Sequence, residues 1–166
     1  MLPKNPRRRF LKEKEVRQLL LDFSRKIGCA TEKITDPKPR VEVVETSGVS
    51  FFFVDGKPLI AKLNDVLFPT LIFHKALSFL PQVVVDMGAV PYVCNGADVM
   101  APGIRKIRGE FKENDLLLIV DERYGKPLAV GVALSDSQGM RKIGHGKTVK
   151  NVHYVGDRIW SFIKNQ

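Results

Sequence analysis

Cysteine is scarce in this 166-residue chain: only Cys29 and Cys94, far apart and outside any CxxC pair. With three scattered histidines they form no recognisable zinc spacing. They fit two reduced thiols and leave a disulfide open. No apolar run approaches the ~20 residues that a membrane span needs, so no transmembrane helix is expected. The basic start, MLPKNPRRRFLKEKE, is followed by no apolar stretch and does not read as a secretory signal. Catalytic signatures are also wanting. There is no GxxxxGK[ST] phosphate loop, no nucleophile elbow and no Ser/His/Asp order in a known motif. His74 stands in an apolar piece with no acid–base partner nearby, and reads as a packed or partly exposed side chain.

Positive charge is abundant. The net charge is +9, and it is uneven: residues 1–40 hold 12 Lys/Arg against 5 Asp/Glu, residues 41–81 hold 3 against 4, and residues 82–166 hold 12 against 9. Such a balance suits a polyanion, nucleic acid first. Pro3 and Pro6 discourage a helix at the start, so residues 1–9 read as a flexible basic arm. Arg7, Arg8 and Arg9 in it form a compact phosphate-binding cluster or a solvated tail.

From Leu11 to Ile27 the apolar period is helical, through Val16, Leu19, Leu20, Phe23 and Ile27, and Gly28 is a natural stop. Thr31–Pro39 reads as a loop and RVEVVE as a strand. Asp55–Gly56 between apolar runs marks a hairpin of Ser50–Val54 and Leu59–Leu63. Phe51–Phe52–Phe53 implies a strand covered on both faces. Pro69 fits the first turn of a short helix that ends before Pro81, where a domain boundary is expected. Beyond it, short apolar runs separated by Gly and Pro turns argue for a small β-barrel. Val83–Ile104 is its densest stretch: a strand, a turn, then a helical piece from Ala97 to Ala101 closed by Pro102–Gly103. Leu116–Val120 and Leu128–Leu134 read as strands, the second with a bulge at Gly131. Ser135–Gly139 reads as a loop. GHGKT at 144–148 lacks the context of a nucleotide site and is a candidate for an RNA-facing surface. Asp86 reads as the anchor of the turn at Gly88.

The stretch VDMGAVPYVCNGADVMAPGI, followed by GKPLAVGVALSDS and NVHYVGDRIW, resembles a PUA domain, over about residues 82–160. The hairpin at 50–63, Phe68–Pro69–Thr70–Leu71, Leu80–Pro81, Asp86 and Ile159–Trp160 resemble the malignant T-cell-amplified-sequence translation factors and their archaeal counterparts. The resemblance implies an α+β fold, with a small pre-PUA domain at 1–81 and a PUA pseudo-β-barrel at 82–166. It implies a non-catalytic cytoplasmic protein, without cofactor or metal, that binds tRNA or rRNA and the small ribosomal subunit in initiation, reinitiation or recycling. It also implies a partner of the density-regulated type. An RNA-modification enzyme or its accessory subunit, and a pure protein-interaction module, are the alternatives. Carried onto this chain, the RNA surface is Gly96, Ala97 and Asp98 at the expected helix start. It continues through Gly103, Arg105, Lys106 and Arg108, then Lys147, Lys150, Asn151 and His153, with Arg7–Arg9 as an accessory contact. Tyr92 or Tyr154 would stack on a base. Val99 and Met100 read as packing residues.

Overall fold

The computed structural model describes residues 5–166, and the chain divides into two units after Phe79. In the first, strand β1 (Arg7–Phe10) leads into helix α1 (Glu13–Ile27). A meander follows: β2 (Val41–Glu45), β3 (Val49–Val54), β4 (Lys57–Leu63) and β5 (Val66–Pro69), then one helical turn, α2 (His74–Leu77). The sheet order is β1-β2-β3-β4-β5, every pair antiparallel. The helical period buries Val16, Leu20, Phe23 and Ile27. The Phe23 ring stacks on Phe73 at 5.8 Å between centroids. Gly28 ends the helix in the left-handed conformation, φ +78°, and its N–H donates to Ser24 O. Asp55 and Gly56 both have positive φ, as a two-residue hairpin turn requires. Phe51 and Phe53 are buried, whereas Phe52 is only half-buried.

Two expectations in this unit are corrected. Arg7–Phe10 is a strand rather than part of a free arm: its residues pair with Glu45 to Glu42, because the outer edge of β2 supplies a ladder that no local period announces. Residues 1–4 of the arm, Pro3 among them, lie outside the described residues. Pro69 ends β5, opposite Ile60, instead of starting a helix. β5 is an edge strand, where a missing N–H costs no ladder bond.

The second unit holds β6 (Gln82–Val85), α3 (Val90–Val93), β7 (Val99–Met100), β8 (Ile104–Arg108), β9 (Leu116–Asp121), β10 (Pro127–Ala133), α4 (Ser137–Lys142), β11 (Lys147–Tyr154) and α5 (Arg158–Lys164). The sheet order is β7-β11-β10-β9-β6-β8, with β6 and β9 parallel and the other pairs antiparallel. Its two edge strands, β7 and β8, are joined by the three residues Ala101–Gly103. The sheet therefore curls until its edges meet, a pseudo-barrel around Val83, Val85, Leu117, Ile119, Ala129 and Val149. The expected bulge is present: the β10–β11 register shifts at Val130/Gly131. A Cβ at Gly131 would collide with the Val149 side chain.

The helical piece expected over Ala97–Ala101 lies earlier, at Val90–Val93, and Ala97–Ala101 runs into β7 instead. The cause is Asp86: its carboxylate accepts the Ala89 N–H at 2.8 Å and starts the turn just before Pro91. Ser135–Gly139 is not all loop. Asp136 caps α4 by accepting the Gly139 N–H at 2.7 Å.

Candidate nucleic-acid interface

Strand β11 holds the α3–β7 segment through three side chains. Asn151 Nδ2 donates to the carbonyls of Val93 (3.0 Å) and Ala97 (3.1 Å). The Asn151 N–H donates to Asp98 Oδ1 at 2.9 Å. The other Asp98 oxygen lies 3.4 Å from Lys147 Nζ. Gly96, φ +94°, closes the segment against Tyr154: a Cβ there would sit 3.1 Å from the tyrosine Oη and Cε1. Gly96 thus packs against the Tyr154 ring, and it follows α3 instead of preceding a helix.

This fixed segment presents apolar surface beside positive charge. Tyr92 is 70% exposed and Met100 47% exposed, while Val99 is buried. Met100 is not the packing residue expected, because alternation along the two-residue strand sends Val99 in and Met100 out. Lys147 stands opposite Met100 in the ladder, and Lys150 is exposed on the same strand. Tyr154 is half-buried against the barrel core, so of the two expected stacking tyrosines Tyr92 is the exposed one.

On β8, the register shift between Val84 and Val85 leaves Arg105 as an extra residue. Ile104 and Ile107 therefore both pack on the core, and Arg105, Lys106 and Arg108 are all exposed. Arg105 lies 3.7 Å from Asp86 and 3.6 Å from Glu122. Arg108 donates to Gln82 Oε1 at 3.1 Å. Lys106 makes no ion pair among the described residues. Gly103 brings the β7–β8 turn close to α3, since a Cβ there would meet Ala89 Cβ at 3.3 Å.

His153 is not on this surface. It is 0% exposed, and its Nδ1 lies 3.0 Å from Asp157 Oδ2. The register shift at Val130/Gly131 breaks the alternation of β11, so Asn151 and His153 do not share a face. Asp157 also accepts the N–H groups of Trp160 (2.7 Å) and Tyr154 (3.0 Å), capping α5. Burial pushes its carboxyl up, but the His153 contact and these N–H groups outweigh that and hold it below the ordinary value. Burial raises the Cys94 thiol, which disfavours the reactive thiolate. Asp86 anchors its turn as expected. Arg7, Arg8 and Arg9 belong to the first unit, all exposed, with Arg9 bonded to both oxygens of Glu15.

The structure thus brings Gly96, Ala97, Asp98, Lys147 and Asn151 together, with Lys150 on the same strand, and sets Arg105, Lys106 and Arg108 on the neighbouring barrel edge. Asn151 and Asp98 hold the backbone in place, and the free groups are Tyr92, Met100, Lys106 and Lys150.

The chain is similar to known proteins over nearly its whole length. The PUA domain model matches residues 81–155, and a domain of unknown function, DUF1947, matches residues 7–75. An uncharacterized protein of Methanocaldococcus jannaschii is 40% identical over 94% of this chain and 96% of its own. Translation machinery-associated protein 20 of Saccharomyces cerevisiae is 26% identical over 82% of this chain and 80% of its own. Malignant T-cell-amplified sequence 1 of Danio rerio is 28% identical over 89% and 84%. The crystal structure of a hypothetical protein of Pyrococcus horikoshii OT3 superposes with a TM-score of 0.82, at 34% identity over 95% of this chain and 99% of that one.

Proposed function

We infer, for a chain that belongs to the PUA-domain proteins carrying an N-terminal DUF1947 domain, a non-catalytic role in binding RNA for translation. The observation that carries this reading is the fixed segment Tyr92–Met100, which exposes the Tyr92 ring and Met100, with Lys147 opposite Met100 on β11 and Lys150 exposed further along that strand. A free aromatic face accepts an unstacked base, and flanking cations take up the phosphates. The Asn151 clamp holds the segment before RNA arrives, so little ordering remains to be done on binding.

The finer reading is a cytoplasmic factor that contacts tRNA and the small ribosomal subunit in initiation, reinitiation or recycling. A protein partner of the density-regulated type belongs to it. Its supports are the names of the relatives and the excess positive charge. Residues 1–81 form the pre-PUA domain in this reading, and residues 82–166 the PUA barrel. The His153–Asp157 pair favours a role without catalysis, because the histidine is sealed from solvent and its aspartate is engaged in capping α5.

The test is binding of the purified protein to small ribosomal subunits, to tRNA and to tRNA trimmed at its 3′ end, across a salt series. Subunit binding with a preference for intact tRNA is the expected outcome. Binding to free tRNA alone, indifferent to the subunit, would transfer the reading to an accessory protein of RNA modification.

A further inference from the structure

The free edge of the first unit's sheet carries backbone groups and an apolar side chain that a phosphate contact at Arg7–Arg9 leaves unused. β1 is the terminal strand of its sheet, and all four of its residues are exposed. The register fixes which groups face outward. Leu11 N–H donates to Val41 O, so the bonded pairs with β2 are Leu11/Val41, Arg9/Val43 and Arg7/Glu45. The N–H and C=O groups of Arg8 and Phe10 therefore point away from the sheet, two residues apart, as a strand with one side unpaired offers them.

The side chains around that edge are basic, with one apolar anchor. Phe10 is 56% exposed and lies under the Arg40 guanidinium, 4.4 Å from its ring centroid. It borders a groove of about 630 Å³, lined also by Leu11, Val16 and Leu20. A second groove runs along Arg7, Arg8 and Arg9. The two grooves hold Arg7, Arg8, Arg9, Arg17, Lys38 and Arg40 against Glu13 and Glu45. Arg9 is committed to Glu15, whose carboxyl its hydrogen bond, with the Lys12 N–H, holds down at about 2. Arg7 and Arg8 have no carboxylate of their own among the described residues.

We propose that β1 is a docking edge for an acidic, extended segment of a partner protein, which adds as a sixth strand to this sheet with its acidic side chains on the face of Arg7 and its apolar ones on the face of Arg8 and Phe10. This site is independent of the RNA surface. An extended peptide satisfies both kinds of backbone group on the edge, donors and acceptors alternately, whereas phosphates would face the carbonyls of Arg8 and Phe10 with like polarity. The apolar groove beside Phe10 likewise fits a side chain better than a backbone phosphate. Opposite charge steers the approach, and the ladder then fixes direction and register.

The probe is a short fluorescein-labelled peptide of alternating valine and glutamate, titrated into the full chain. Two further copies carry backbone N-methyl groups, one at every valine and the other at every glutamate; charge is the same in all three. Saturable binding is expected, weakened at least tenfold by one methylation pattern and much less by the other, because only alternate N–H groups face β1. Amide hydrogen exchange at Arg8 and Phe10 should slow about tenfold with the parent peptide. Equal binding of all three peptides would reduce the edge to a charged patch, and absence of binding would remove it. Slowed exchange at the same amides with a uridine oligomer, and not with the peptide, would make it a nucleic-acid edge. None of these outcomes bears on the barrel surface, whose RNA binding is read separately.

Discussion

Gly96 and Tyr92 stand four residues apart, and they predict opposite behaviour. Gly96 has φ +94°, and a Cβ there would press on the Tyr154 ring at 3.1 Å. Gly96→Ala combines backbone strain with a steric conflict, each of order 1 kcal/mol or more. It should lower stability by about 1–3 kcal/mol, read as a drop of several degrees in Tm. Tyr92 is 70% exposed and holds nothing in place, so Tyr92→Ala should leave Tm unchanged. If its ring stacks on a base, the same change should weaken RNA binding by about 1–3 kcal/mol. A fall in Tm with unchanged RNA affinity would make Tyr92 a structural residue. Asn151 lies between these cases. Its amide bonds two carbonyls of the bound segment, so Asn151→Ala should lower stability by about 1–3 kcal/mol and should also slow RNA association, since the segment would no longer be held before binding.

Helix α5 shows how a single side chain controls an element. Asp157 accepts N–H bonds from Trp160 and Tyr154 and touches His153, and its folded pKa lies below the ordinary value. A carboxyl so lowered adds stability that is complete above its unfolded pKa, roughly 3.9, and is lost as pH falls through the folded value. Asp157→Asn should therefore be less stable than the parent at pH 7, with the gap closing only below about pH 4. Denaturant titrations of both proteins from pH 7 downward measure this, and a gap independent of pH would show that the charge is immaterial. Elements with a long period or a specific turn were legible in the sequence: α1 from its apolar spacing, the β3–β4 hairpin from Asp55–Gly56, the bulge from Gly131. The short helices α3 and α5 were not, because they show hardly a full repeat of the helical period. β1 escaped for another reason, since its formation depends on pairing with β2, far along the chain. The candidate site was legible in its cations and in Asn151, Asp98 and Gly96. It was misread at His153: Gly131 marks the bulge on β10, but nothing in the spacing of β11 shows which of its residues the shift turns inward.

At the scale of the whole molecule, net charge sets attraction to RNA, but the contribution of each cation depends on what already neutralises it. Arg105 has Asp86 at 3.7 Å and Glu122 at 3.6 Å, so phosphate must compete with two carboxylates for it. Lys106, next along the same edge strand, has no such rival. Each phosphate contact releases counterions, worth about 0.7 in the slope of log affinity against log salt for single strands and about 0.9 for a duplex. Lys106→Ala should lower that slope by about one such contact and weaken binding at low salt. Arg105→Ala removes a cation and also exposes Asp86 and Glu122, whose charges then face the same phosphates. It should weaken binding through repulsion as well as lost attraction, and adding Glu122→Gln to it should restore part of the affinity. The double change Arg105→Ala with Lys106→Ala should cost about 1–3 kcal/mol of RNA affinity. Binding isotherms over a salt series separate these terms: an unchanged slope in the double variant would take the β8 edge out of the RNA surface and leave the Tyr92–Met100 segment with Lys147 and Lys150 as its whole extent.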